Sequence, residues 1–377
     1  MTAGQLSSMI ETVSESGLTK TLRERITTTG PITFFEWMQA ALYDPQYGYY
    51  CRADRKKWGR LGDYRTSPER SSLFGATFAR YFATLYEKLG HPSSFTILEL
   101  GAGDGSFAVS VLQTLEEYYP DVFLRTRYLI DEPGFQSQQT ARKRLLAFSD
   151  RVAFERPSEA ETGVVFSNEV LDAFPVHRVA MAEGRLHEFY VDLGPNAEFV
   201  WTLGEPSSSV LAQYLDQQGV KLGEGQIVEV NLEIEEWLKA LAAGLRHGYV
   251  VTVDYGAESN DLYPTNSSDP RYRGTLRSFQ RHQLMDDVLS NPGEQDLTTT
   301  VNWTAVKRSG ERLGLSVVEF ERQDKFLLTA GLLDQLEKES GKARTEADKL
   351  RLSSAALEMI LPTGMSASFQ VLVQKKN

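Results

Sequence analysis

At 377 residues and 41% hydrophobic content, the chain has the composition of a soluble globule, either one large domain with insertions or two domains. A formal net charge of -11 excludes a general nucleic-acid binder, because neutralising phosphates needs a basic surface and the only dense basic stretch is RADRKKWGR (52–60). Cys51 is the sole cysteine, which excludes an intrachain disulfide and a cysteine metal cluster, and no stretch approaches the roughly 18 apolar residues of a membrane span.

The N-terminus lacks the basic-then-apolar order of a secretory signal, and Glu11 and Glu15 speak against a transit peptide. A cytoplasmic protein is expected. Leu18, Leu22 and Ile26 then stand at helical spacing, with TTTG (27–30) ending that helix. In PITFFEWMQAALYDPQYGYY (31–50), Phe34, Met38, Ala41 and Leu42 make one helical face and Asp44-Pro45 stops it. The basic stretch reads as a solvated loop, or as a contact for an acidic partner or a cofactor carboxylate. GDYRTSPERSSLFG (62–75) is a polar loop leading into a helix carrying Phe78, Tyr81, Phe82 and Leu85. Residues 1–92 are expected to form an N-terminal helical cap with a loop.

From Phe95 strands alternate with helices: FTILEL, a helix over 106–119, RYLID, a helix over 135–148, VAF, and VVFSNE. Such alternation predicts an α/β fold with a parallel sheet covered on both faces. Hairpin-like segments interrupt it, HRVAMAEGRLHEFYVDLG and EFVWTLGEP, before a helix over 232–245 and the strand YVVTVDYG. LSVVEFERQ and FQVLVQKK close the chain as strands. The domain 93–377 is thus expected to carry insertions at about 177–225 and 257–303.

ILELGAGDGSFAVSVL (97–112) sets Gly101, Gly103 and Gly105 between a strand and a helix, where unpaired amides can meet a ligand closely. The dinucleotide fingerprint G-x-G-x-x-G is not met, since Ser106 holds its last place and the third glycine comes one residue early. Glu99 precedes the turn and can accept from a free ammonium, which points to S-adenosylmethionine. Asp104 lies inside the turn. RYLIDEP closes the next strand with Asp131 and Glu132, either of which can accept two ribose hydroxyls; Glu132, last on the strand, is preferred.

VVFSNEVLDAFPVHR (164–178) places Ser167, Asn168, Glu169 and Asp172 at the carboxyl end of a strand, where open α/β sheets bind ligands. Glu169 and Asp172 stand three apart, so that on an opening helical turn both carboxylates grip one cation. Asp172 or Ser167 capping the turn is the plainer alternative. Methyl transfer needs a lone pair held near the methyl carbon, and two carboxylates suit a guanidinium, which they orient and relieve of its proton. His177 is a second candidate base, though such a histidine is usually structural. Neither H-E-x-x-H nor G-x-S-x-G occurs, so metal and acyl-transfer chemistry have no basis here.

PITFFEWMQAALYDPQYGYY, GDYRTSPERSSLFG, ELGAGDGSF, SNEVLDAFPVHR, RGTLRSFQRHQ and NPGEQDLTTTVNW, in this order, resemble the MidA-like class I methyltransferases, relatives of the mitochondrial complex I assembly arginine methyltransferase. The resemblance implies a seven-stranded Rossmann-like sheet, S-adenosyl-L-methionine as donor with S-adenosyl-L-homocysteine as product, and an arginine of a partner protein, in mitochondria a respiratory complex I subunit, as acceptor. Carried over, it implies Gly101, Gly103 and Gly105 as the cofactor turn, Glu132 as the ribose acid, Glu169 and Asp172 in the segment after the fourth strand, beside the candidate Asn168, and Asp63, Thr66, Ser67, Pro68 and Glu69 as a lid over donor and acceptor. Three departures stand out: Pro133-Gly134 follow the acids instead of Ser-Pro, and Thr300 and Asn302 replace a usual histidine and acid. A small-molecule methyltransferase, a donor-binding scaffold without turnover and a dehydrogenase are the alternatives.

Overall fold

The computed structural model describes residues 17–52, 71–157, 161–280, 283–361 and 368–377. The helix Gly17–Thr29 buries Leu18, Leu22 and Ile26, as their spacing predicts, and leads through β1 (Ile32–Thr33) into the helix Phe34–Tyr43. Thr33 and Glu36 close a reciprocal capping box there, and Asp44 ends the helix before Pro45. The helix Ser72–Lys88 follows, then β2 (Phe95–Leu100), the helix Ser106–Tyr118, β3 (Thr126–Asp131), the helix Phe135–Arg144, β4 (Val152–Ala153) and β5 (Glu161–Asn168). Beyond them come β6 (His177–Ala182), β7 (Arg185–Leu193), β8 (Phe199–Gly204), β9 (Ile227–Val230), the helix Glu233–Gly244 and β10 (Leu245–Ala257). The chain ends with β11 (Arg277–Gln280), β12 (Gln283–Met285), β13 (Asp296–Thr298), β14 (Val301–Asn302), the helix Trp303–Arg312, β15 (Leu315–Arg322), three further helices and β16 (Phe369–Lys376).

The main sheet runs β4-β3-β2-β5-β10-β16-β15. The first five strands are parallel, and β16 is antiparallel to both of its neighbours. Where seven strands are expected the sheet has eight among the described residues, because β14 pairs with Gly256 and Ala257 at the far end of β10. At 13 residues β10 outruns β5, and the backbone groups it leaves open need a partner. Alternate residues face opposite helical layers: Ile97, Ile130 and Phe166 pack with the helices Ser72–Lys88 and Ser106–Tyr118, while Leu98, Leu129 and Val165 pack with Glu233–Gly244 and Trp303–Arg312.

The helix Ser72–Lys88 therefore belongs to the sheet's own core, not to a separate N-terminal cap. Only the segment up to Tyr50 stands apart: Leu18, Phe34, Trp37 and Met38 pack on Val191, Phe199 and Trp201 of the insertion sheet, to which β1 adds as a strand beside β7. A large apolar face on a hairpin insertion needs such a cover to leave water. β2 has β3 on one side and β5 on the other, so the strand order reverses around it and opens a crevice at the carboxyl ends.

Candidate active site

That crevice is a cleft of about 460 Å³ lined by Leu100, Gly101, Asp131, Glu132, Glu169 and Val170, among others. On the glycine-turn side, Gly101, Gly103 and Gly105 have φ of 66°, 55° and 79°, a left-handed path that bends the chain sharply between β2 and the helix without side chains in the way. The Gly103 amide donates to Glu132 Oε2 at 2.9 Å and the Gly134 amide to Glu132 Oε1 at 2.8 Å. Glu132 is thereby locked at the mouth of the turn. Asp131 lines the same cleft but is engaged by Arg156. Gly134 thus takes part in holding Glu132.

Glu99 and Asp104 lie elsewhere. Glu99 is 4% exposed, accepts from the Tyr128 hydroxyl at 2.7 Å, and does not line the cleft. Burial lifts its carboxyl to about 8, against the pull of that hydrogen bond. Asp104 accepts from the Ser106 amide at 2.9 Å and pairs with Arg144 at 2.7 Å, capping one helix and tying it to the next. Asp63, Thr66 and Ser67 fall outside the described residues.

Across the cleft, β5 ends at Asn168 and the chain turns without forming the helical turn expected after it. Glu169 has a φ of 54°, rare for a residue with a side chain and typical of constrained sites. Its carboxylate lines the cleft and accepts from Asn168 Nδ2 at 3.0 Å. Asp172 sits behind the lining, 6% exposed, with Oδ1 lacking a hydrogen-bond partner among the described residues. Burial raises its carboxyl to about 6, while the Tyr255 hydroxyl works in the opposite direction. Glu169 and Asp172 share a turn, then, but only Glu169 fronts the cleft.

The turn is held from three sides. Asp254, in the last part of β10 and fully buried, accepts at Oδ2 from the amides of Val170, Leu171 and Asp172 at 3.2, 2.9 and 3.3 Å. The Tyr43 hydroxyl donates to the Ala173 carbonyl at 3.1 Å, and the Thr299 amide to the Asp172 carbonyl at 2.9 Å. Next to Tyr43, Tyr50 also lines the cleft and donates to Asp296 at 2.7 Å. His177 is bound to buried Glu188 at 2.7 Å and stacked on Phe35, and the cleft lining does not include it.

The sequence of an S-adenosyl-L-methionine-dependent methyltransferase family matches residues 77–321, well over half of the chain. The chain belongs to this family. Among its relatives, the Drosophila melanogaster protein named Protein arginine methyltransferase NDUFAF7 homolog, mitochondrial, is 29% identical over 80% of this chain and 72% of its own length. The Rattus norvegicus Protein arginine methyltransferase NDUFAF7, mitochondrial, is 26% identical over 82% of this chain and 73% of its own. A Burkholderia thailandensis crystal structure bound to S-adenosyl-homocysteine superposes with a TM-score of 0.82 at 28% identity, over 95% of this chain and 92% of that one.

These findings correct one expectation: the relatives are mitochondrial by name, which overturns the cytoplasmic location read from composition. Among the described residues of the methyltransferase no helix is long and apolar enough to cross a membrane. The cofactor is S-adenosyl-L-methionine, and the residues present suit it: a side-chain-free glycine shelf, the pre-held Glu132 carboxylate, and the orphaned Asp172 oxygen behind the opposite wall. Sequence reasoning missed Asp254, Tyr43 and Tyr50. Asp254 carried a legible signal, an acid closing the strand YVVTVDYG as Asp131 closes its own, whereas the tyrosines were indistinguishable from core aromatics.

Thr300 and Asn302 are also located. Thr300 accepts from Arg277 at 2.9 Å, and Asn302 caps the helix Trp303–Arg312 while donating to the hydroxyls of Tyr214 and Tyr263 at 3.1 and 3.3 Å. Asn302 is buried in that network and the cleft lining does not include it.

Proposed function

We propose that this methyltransferase methylates an arginine side chain of a partner protein, a respiratory complex I subunit in the reading its sequence resemblance gives. The observation that carries the proposal is the acidic and aromatic wall facing the glycine turn, where Glu169, Glu233 and Glu236 line one cleft with Trp237 and Tyr43. A guanidinium keeps its charge at any physiological pH, and carboxylates beside aromatic faces attract it by charge pairing and cation–π contact. The names of the relatives point to the same acceptor.

When bound, S-adenosyl-L-methionine supplies a methyl group on a positively charged sulfur. In the proposed arrangement Glu132 accepts both ribose hydroxyls, Asp131 stays paired with Arg156 at the edge, and Gly101, Gly103 and Gly105 leave room for the cofactor's backbone-side approach. Asp104 steadies the end of the turn by accepting from the Ser106 amide, while Glu99 is bound to Tyr128. Glu169, steadied by Asn168, holds the acceptor guanidinium. A guanidinium nitrogen forms the new bond to the methyl carbon as the carbon–sulfur bond breaks and its electron pair returns to sulfur, leaving S-adenosyl-L-homocysteine. The nitrogen's proton passes to the Glu169 carboxylate. Asp172, with an unsatisfied buried oxygen behind Glu169, adds negative potential where the cation sits.

The test is transfer of labelled methyl from S-adenosyl-L-methionine into a lysate of cells lacking this protein, followed by acid hydrolysis, with Glu169→Gln and Asp172→Asn as controls. Labelled methylarginine that depends on both acids is expected. Label found only in small molecules would replace the protein acceptor by a metabolite.

A further inference from the structure

The Glu169–Ala173 turn lies at the junction of chain segments far apart in sequence, yet it contains a left-handed glutamate that local sequence does not favour. Something must offset that conformation. The three consecutive amides of residues 170–172 converge on one oxygen, Asp254 Oδ2, and the other oxygen accepts from the Tyr255 amide at 2.8 Å. Successive amides pointing inward form a nest for an acceptor, and here the carboxyl group of a side chain from the neighbouring strand fills it, although burial and the nearby Asp172 and Glu169 push that carboxyl well above the usual range. β10 runs parallel to β5 in register, Val253 beside Asn168, and Glu169 N donates to the Val253 carbonyl at 2.9 Å. The next residue of β10 is therefore delivered directly beneath the turn.

We propose that Asp254 is a positioning residue for methyl transfer, acting through the 170–172 amides to hold Glu169 on the cleft wall. The inference rests on the acceptor reading of Glu169 given above. Asp254 is fully buried and does not line the cleft, so it touches neither cofactor nor acceptor. Its hydrogen bonds to the turn all run to backbone amides. Asparagine has the same size but offers only one accepting oxygen, so Asp254→Asn strips an acceptor from either the amide fan or the Tyr255 amide.

The experiment uses the full-length chain, with S-adenosyl-L-homocysteine as the binding probe and the methyl-transfer assay above. For Asp254→Asn, affinity for S-adenosyl-L-homocysteine and KM for S-adenosyl-L-methionine should stay within about threefold of wild type, while kcat falls about a hundredfold because the reacting groups are displaced. Hydrogen exchange of the 170–172 amides should accelerate by about tenfold or more. Unchanged exchange, or wild-type kcat, would overturn the proposal, and so would equal losses of binding and turnover, which mark a residue needed only for folding. Glu169→Gln run in parallel separates the two ideas: wild-type turnover there removes the acceptor reading and the catalytic consequence with it, whereas the exchange data still show whether Asp254 holds the turn. If Asp254→Asn does not fold, exchange in the wild type decides. A Leu171 amide as slow as that of Val251 in mid-β10 supports the proposal, and one as fast as an exposed turn overturns it.

Discussion

The glycine-turn side of the cleft and the acid-turn side differ in how far apart along the chain their parts lie. Gly103 and Glu132, which meet through a hydrogen bond, are 29 residues apart, within one strand–helix–strand unit. The acid turn instead joins Tyr43 to Ala173 across 130 residues, Asp254 to Leu171 across 83, and Thr299 to Asp172 from the second insertion. Under the proposed function, binding of the cofactor is thus encoded locally, whereas the acceptor wall exists only when the N-terminal segment, β10 and the insertion are all in place. Changes to the first side should act on ligand binding, and changes to the second on turnover.

The largest effect expected is that of Gly103→Val. With φ at 55°, a β-branched side chain strains the turn and fills the approach path, so affinity for S-adenosyl-L-homocysteine should fall at least about a hundredfold. Calorimetry showing wild-type affinity would mean that the cofactor does not sit on this shelf. Asp172→Asn, on the other side, should leave that affinity intact and lower kcat by about ten- to a hundredfold through the lost buried charge. Parallel losses in binding and turnover would erase the distinction between the two sides.

Glu99 gives a smaller and pH-dependent effect. Its carboxyl is raised from 4.5 to about 8 in the folded protein, so between those pH values the native state binds more protons than the unfolded chain and stability must decline as pH rises. Over the full window the loss from this group amounts to a few kcal/mol, roughly 1.4 kcal/mol per pKa unit. Glu99→Gln should flatten the decline in denaturant midpoints between pH 5 and 8; an unchanged slope would place its origin in other groups. The smallest effect belongs to Tyr50→Phe, which removes the hydroxyl bound to Asp296 and should cost about 1–3 kcal/mol of stability. Because that contact links the N-terminal segment to β13, its loss should also raise the acceptor KM more than the cofactor KM. The reverse pattern would assign Tyr50 to the glycine-turn side.

Much of the fold was legible because hydrophobic period reports local geometry. Leu18, Leu22 and Ile26 mark one helical face and FTILEL one buried strand, and both form where their patterns say. The glycine turn and Glu132 were legible for the same reason, since a strand, a turn and the next strand end fix their own neighbours. The grouping of Ser72–Lys88 with an N-terminal cap failed because amphipathicity shows that a helix has an apolar face but not which surface covers it. Likewise the spacing of Glu169 and Asp172 suggested a helical turn, and the Asp254 nest imposes another path.

By itself, then, the sequence determined the alternating strands and helices, the glycine turn after β2 and the pair of acids where β3 ends, all properties of contiguous residues. Tertiary structure alone decided that Glu169 fronts the cleft while Asp172 stands behind it, that Tyr43 and Asp254 grip the turn between them, and that β14 pairs with the far end of β10. The physical reason is that a hydrogen bond depends on distance in space, and only folding brings donors and acceptors from remote segments within reach of one another.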